Sequence, residues 1–141
     1  LIMNNFLPKN HKYKKIRKRV RLNELKDYRT SYLKDFNYGL KVLDNGVISS
    51  IVLEAARRSI TRKLKRLGTL KINGFPDIPV TSKPLGVRMG KGVGSIDGWV
   101  FPIKKGRILF ELKGVSLELA KSALKSASYK LPIKSKFVYK P

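Results

Sequence analysis

Between Lys83 and Gly94 the chain reads Lys-Pro-Leu-Gly-Val-Arg-Met-Gly-Lys-Gly-Val-Gly. Glycine in a helix or strand interior is destabilising, by about 0.5–1 kcal/mol each relative to alanine. With Gly86, Gly90, Gly92 and Gly94 so close together, this stretch is a loop, and the core must be built on either side of it. These glycines leave the backbone free to take positive φ or to approach another surface closely. Lys83, Arg88 and Lys91 add positive charge, and no carboxylate lies among them. Successive N–H groups in such a loop form a concave anion site. The competing reading is a plain surface connection. A phosphate-binding nucleotide loop does not fit, because no Ser or Thr follows Lys91 and the spacing from Gly86 is one residue short.

Charge narrows the partner. The 141 residues carry 32 Lys and Arg against 9 Asp and Glu, a formal charge of +23. A compact domain so charged repels itself until a polyanion neutralises it. Nucleic acid is the natural partner, since each cation placed on a phosphate releases condensed counterions. An anionic membrane surface competes, but no apolar run is long enough to span a bilayer, and no membrane partner is expected. Apolar residues make up 42% of the chain, enough for one domain with a modest core. There is no cysteine, which removes disulfides and cysteine-zinc sites. His11 sits alone in a basic run. No continuous apolar segment of a secretory leader opens the chain.

Residues 1–37 read as a basic N-terminal arm and residues 38–141 as the globular part. The arm carries Lys9, Lys12, Lys14, Lys15 and Arg17 among its cations, with Phe6, Tyr13 and Ile16 interleaved. It is expected to order on RNA, because its few apolar anchors cannot offset the entropy of ordering alone. A short helix around Leu22 to Leu33 is weakly supported.

Beyond the arm, apolar spacing sets out the elements. Tyr38 to Leu43 is a strand, and Asp44-Asn45-Gly46 carries the Asn-Gly pair of a hairpin turn. Ser49 is the N-cap of a helix running to about Leu67, with Gly68 as its stop. Leu53, Ala56, Ile60, Leu64 and Leu67 form its inner stripe. Its outer face holds Arg57, Arg58, Arg62, Lys65 and Arg66 against Glu54 alone, which favours a phosphate-facing surface over a merely solvated one. Thr69 to Asn73 alternates as a strand, and Val80 to Ser82 is extended. Gly98 to Ile103 and Arg107 to Leu112 flank Lys104-Lys105-Gly106 and read as a hairpin, with Pro102 at an edge or irregularity. Trp99 reads as a core or hinge anchor before a base-stacking platform. Ser116 opens a second helix with the inner stripe Leu117, Ala120, Leu124 and Ala127, ended by Leu131-Pro132, and Ile133 to Tyr139 closes as a strand. The whole is an α+β domain: two helices packed on a mostly antiparallel sheet, with the long glycine-rich basic loop and the basic arm attached.

Catalytic chemistry finds no members. The acids are scattered, and neither a metal-spaced cluster nor a nucleophile–base pair is present, so neither an enzyme, a metal nor a cofactor is expected.

Glu54-Ala55-Ala56-Arg57-Arg58, Phe75-Pro76-Asp77, Lys83-Pro84-Leu85, Val87-Arg88-Met89-Gly90-Lys91-Gly92 and Lys130-Leu131-Pro132-Ile133-Lys134 fall in the order and spacing of a known family. The chain resembles the large-subunit ribosomal protein family numbered sixteen in bacteria, over about residues 38–140. Pro8-Lys9 and Lys12 to Lys15 resemble that family's basic opening. Residues 16–37 depart from it, and Asp44 to Val47 replaces a family turn carrying Arg and Gly. The resemblance implies a structural constituent of the large ribosomal subunit that binds its rRNA, with neighbouring ribosomal proteins as further partners. It also implies that the loop, through Gly86, Arg88, Met89, Gly90, Lys91, Gly92 and Gly94, reaches toward tRNA in the aminoacyl site near the peptidyl transferase centre. Family members join late in subunit assembly, and the residue matching Arg88 is hydroxylated in some bacteria. RNA contacts are expected from Lys9, Lys12, Lys14, Lys15, Arg17, Arg57, Arg58, Arg62, Lys65, Lys83, Arg88 and Lys91. A Lys-, Ile- and Ser-heavy surface points to a mitochondrial ribosome first, with a chloroplast or bacterial one second. A non-ribosomal RNA-binding module is the alternative function.

Overall fold

Apolar alternation and helical stripes produce nine elements, seen in a computed structural model that describes residues 6–9, 15, 30–33 and 36–140. In chain order they are β1 (Tyr38–Val42), β2 (Gly46–Ser49), α1 (Ser50–Lys63), β3 (Thr69–Ile72), β4 (Ile78–Ser82), β5 (Ser95–Ile103), β6 (Ile108–Lys113), α2 (Leu117–Ser128) and β7 (Ser135–Tyr139). The fold is α+β, as expected. Its strands divide over two sheets, β3-β6-β1-β7 and β2-β5-β4, and every pairing is antiparallel. Lys12, Lys14, Arg17 and most of the helix expected around residues 22–33 lie outside the described residues.

Neither expected hairpin forms. β1 and β2 belong to different sheets, and so do β5 and β6. β1 pairs with β6 and β2 pairs with β5, so the two chain segments run as one antiparallel ribbon that bends between the sheets. The register carries through the bend: Lys41 faces Ile108 on one side and Gly46 faces Ile103 on the other. Both Asn45-Gly46 and Lys104-Lys105-Gly106 sit at this corner. The Val42 N–H donates to the Arg107 carbonyl at 2.8 Å, and the Gly106 N–H donates to the Val42 carbonyl at 2.8 Å. Asn45 does not take the left-handed turn of a hairpin. Its Oδ1 instead accepts the Lys105 N–H at 2.6 Å, which stitches the two halves of the corner. Gly46 is required for a different reason, since an added Cβ would run into the Ile133 side chain. The expectation for Pro102 holds locally. β4 covers β5 only as far as Val100, so Pro102 has a partner strand on one flank only.

The helices close the core. Ser49 caps α1, its Oγ accepting the Val52 N–H at 3.3 Å. Leu53, Ala56, Ile60 and Leu64 are buried as the stripe predicts, but Leu67 is 60% exposed. The helix ends before Leu67 in a double-bonded cap: Arg66 N–H donates to the Thr61 carbonyl and Lys65 N–H to the Arg62 carbonyl, both at 3.3 Å. The left-handed positions of this cap are Lys65 and Arg66, at φ +49° and +67°. Gly68 is also left-handed, but it serves the entry to β3, where an added Cβ would meet the Lys113 carbonyl and Val115. In α2 the buried face is Ala120, Ala123, Leu124 and Ala127, while Leu117 is 47% exposed. A first-turn side chain leans back past the helix N-terminus and so misses the packed face. Ser116 holds the N-cap position without a side-chain cap bond. The small residues on α2 let it lie close to α1, where Ser59 Oγ and Ser126 Oγ are 3.3 Å apart. Around this pair Leu40, Val42, Ile48, Phe101, Ile103 and Phe110 complete the core. Each such side chain contributes about 1.5–3 kcal/mol on burial. α1 lies against β2 and β5, and α2 against β1 and β7. One side of α1 is therefore held beside residues 96–99 of β5, the strand that leaves the β4–β5 loop.

Candidate nucleic-acid interface

The outer face of α1 is organised by one acid. Glu54 is buried, and Arg57 grips it with Nε on Oε2 and Nη2 on Oε1, both at 2.7 Å. Arg58 Nε adds a third bond to Oε1 at 2.9 Å. Hydrogen bonding to Arg57, foremost, and to Arg58 lowers the Glu54 pKa against the opposing effect of burial, and the same contact with Glu54 raises that of Arg57. Arg57 is thus the most committed of the four α1 cations expected at the interface. Arg58 shares Glu54 but keeps about half its side chain in solvent. Arg62 and Lys65 are exposed and make no ion pair among the described residues. Lys63, which the sequence reading passed over, is exposed beside Arg62 in the last turn. Its adjacency to Arg62 was the available signal. Basic residues in a last turn also favour the helix dipole, so part of this charge serves α1 itself.

The loop between β4 and β5 holds the second group. Its glycines divide by cause. Gly86, Gly90 and Gly92 take φ of +86°, +98° and +90° with no atom near an added Cβ. Gly94 is there for a close approach, because an added Cβ would overlap the Ser82 carbonyl across the base of the loop. Lys91 joins the left-handed run at φ +54°. Lys83 is half-buried, and its ammonium donates to the Gly90 carbonyl, which braces the loop across its width. Val87 N–H donates to the Pro84 carbonyl at 3.3 Å. With its backbone so held, the loop presents Leu85 and Met89 at 104% and 93% exposure, with Arg88 and Lys91 also exposed. Lys15 Nζ donates to the Val93 carbonyl at 3.3 Å, so the arm meets the loop there. Lys9 is exposed.

Beside α1 a groove of about 740 Å³ opens between the helix, residues 96–99 of β5 and Ser126 and Lys130 near the end of α2. Trp99 lines it and is half-buried. The sequence favours a core or hinge anchor for this residue over a base-stacking platform, and it lies on the groove wall. Periodicity could not show the groove, because its walls come from segments far apart in the chain. Among the described residues, no His, Cys, Asp and Glu group could hold a metal ion, and no helix is long and apolar enough to cross a membrane.

A folded α+β body with a basic helix face and a braced basic loop that exposes its side chains belongs to the polyanion-binding proteins. Comparison with known proteins gives that class a family. The sequence profile of ribosomal protein L16p/L10e matches residues 8–138. The chain is 52% identical over 101 residues to the large ribosomal subunit protein uL16 of Thioalkalivibrio sulfidiphilus (strain HL-EbGR7), covering 72% of this chain and 74% of that one. It is 50% identical over 101 residues to the large ribosomal subunit protein uL16 of Alkalilimnicola ehrlichii (strain ATCC BAA-1101 / DSM 17681 / MLHE-1), with the same coverage. The chain belongs to the ribosomal protein L16p/L10e family, and so to the structural proteins of the ribosome rather than to the enzymes.

Proposed function

We propose that the chain is a structural constituent of the large ribosomal subunit, and that it holds rRNA through the outer face of α1 and the Lys83–Gly94 loop. The observation that carries this is the loop. It is braced from within by Lys83 and closed at its base by Gly94, yet Leu85 and Met89 stand almost wholly in solvent and Arg88 is exposed between them. A segment ordered in this way and left bare is ordered for a partner. Arg88 offers a planar fork of donors and a stacking face, suited to phosphate or to a base plane. The same loop is the part that extends toward tRNA in the aminoacyl site. Residues 1–37 act as a basic arm on the same RNA, and neighbouring large-subunit proteins are the remaining partners. Recognition is chiefly of phosphate and shape, since an RNA helix offers side chains little through its major groove. The Lys-, Ile- and Ser-heavy composition supports an organellar ribosome, mitochondrial first, and probing ribosome fractions of purified mitochondria, chloroplasts and bacteria for the chain decides the compartment.

The interface is tested by titrating the full chain with a large-subunit rRNA fragment over a range of salt. Replacing Arg58 and Arg62 by Gln is expected to lower the slope of log affinity against log salt by about one to two. An unchanged slope with an intact circular dichroism spectrum removes α1 from the interface.

A further inference from the structure

The groove beside α1 is the wrong shape for a phosphate track alone. Its floor and walls are apolar at Ile51, Ala55, Ile96, Trp99 and the arm's Leu7, while Arg58, Arg62, Lys63 and Lys130 stand around it. At about 740 Å³ it falls within the range of about 300–1,000 Å³ seen for pockets that take an organic molecule. Phosphates on a duplex surface need cations and no apolar recess. A base swung out of its stack needs both: an apolar, partly aromatic recess for the ring and cations for the phosphates that flank it.

The charge around the groove fits that ligand. Of its two carboxylates, Glu54 is already held by Arg57 and Arg58. Asp97 is exposed and supplies an acceptor for N–H groups on a base edge. With Arg58 set against Glu54, Arg62, Lys63 and Lys130 face Asp97 alone and leave an excess of positive charge at the rim. Ala55 is exposed on the wall, so the helix face is recessed there rather than filled.

We propose that this groove receives one unpaired nucleotide of the bound RNA, its base against Trp99 and Ile51 and its flanking phosphates on Arg62 and Lys130. The inference rests on the RNA-binding reading above and adds an unpaired base as the ligand of this part of the interface. It also assigns Lys63 and Lys130 to the interface.

Trp99 is the only tryptophan in the chain, so its fluorescence reports the groove directly. The full chain is titrated with a single-stranded RNA oligomer, with an abasic oligomer of the same length, with duplex RNA and with inorganic polyphosphate. The single strand is expected to quench Trp99, while the other three bind without comparable quenching. Ala55→Phe is expected to fill the groove, to abolish the quench and to weaken single-strand binding about tenfold, with polyphosphate affinity unchanged. Equal quenching by the abasic oligomer, by duplex or by polyphosphate overturns the proposal, because the groove then reads charge alone. Salt-dependent RNA binding with silent Trp99, or an undiminished quench in Ala55→Phe, overturns it while leaving the RNA-binding reading in place. Failure of every RNA to bind overturns both.

Discussion

Lys65 closes α1 in a conformation that L-residues adopt at a cost of about 1–2 kcal/mol, at φ +49°. Glycine is the residue that usually holds this position. Lys65→Gly is therefore expected to stabilise the protein by about 1 kcal/mol in urea denaturation. The same change is expected to lower the salt slope of RNA binding by about one, if the exposed Lys65 is one of the proposed phosphate contacts. A strain kept where glycine would relieve it is consistent with a charge kept for binding. If Lys65→Gly leaves the slope unchanged, Lys65 is not a phosphate contact. Glu54 gives a second residue-scale test. Its pKa in the folded protein is lowered, chiefly by Arg57. The stabilisation it supplies is present above the unfolded-state pKa and is lost as pH falls through the folded one. Wild type should therefore melt higher than Glu54→Gln at neutral pH, and the two melting curves should converge in acid. Parallel melting temperatures from pH about 7 down to about 3 would show that the pair contributes nothing. The sequence marked Glu54 as the lone acid on a basic face, and it marked the stripe from Leu53 to Leu64 through its helical period. It did not mark the true helix stop. A cap built on a left-handed lysine has no composition signal, and Gly68 offered a false one.

At the scale of elements, the strands were legible and their partners were not. Alternating apolar residues identify strands locally, but pairing is decided by where the ribbon bends. Asn45-Gly46 and Lys104-Lys105-Gly106 carry hairpin residues because a corner also needs tight turns. What separates corner from hairpin is the Asn45 to Lys105 bond and the fit of Gly46 against Ile133, both long-range. The loop was legible in its glycines and charges, and the structure assigns separate causes within it. Lys83, an expected RNA contact, also braces the loop by donating from its ammonium to the Gly90 carbonyl. This bracing makes Arg88 the sharper test of loop function. Arg88 is exposed, so Arg88→Ala should leave the melting temperature of the free protein nearly unchanged. In ribosomes carrying the variant, it should slow tRNA accommodation or late subunit maturation. Arg88→Lys should restore only part of the loss, because a point charge copies neither the fork nor the stack. Wild-type behaviour of both variants in both assays would leave the loop's role to its glycines and Lys91.

For the whole molecule, a formal charge of +23 on 141 residues needs a polyanion of comparable extent. The cations expected at the RNA lie on three parts of the chain: α1 with its C-terminal cap, the loop and the arm, which touches the loop through Lys15. Contacts distributed in this way make binding steeply salt-dependent when measured on isolated RNA. They also make it resistant when shape, loop and arm engage together on an assembled particle. Sedimentation through a high-salt sucrose cushion, with the chain followed by antibody, tests this account most directly. The chain is expected to pellet with the large ribosomal subunit. Recovery of the chain wholly in the free fraction, with the rest of the subunit intact, would contradict it.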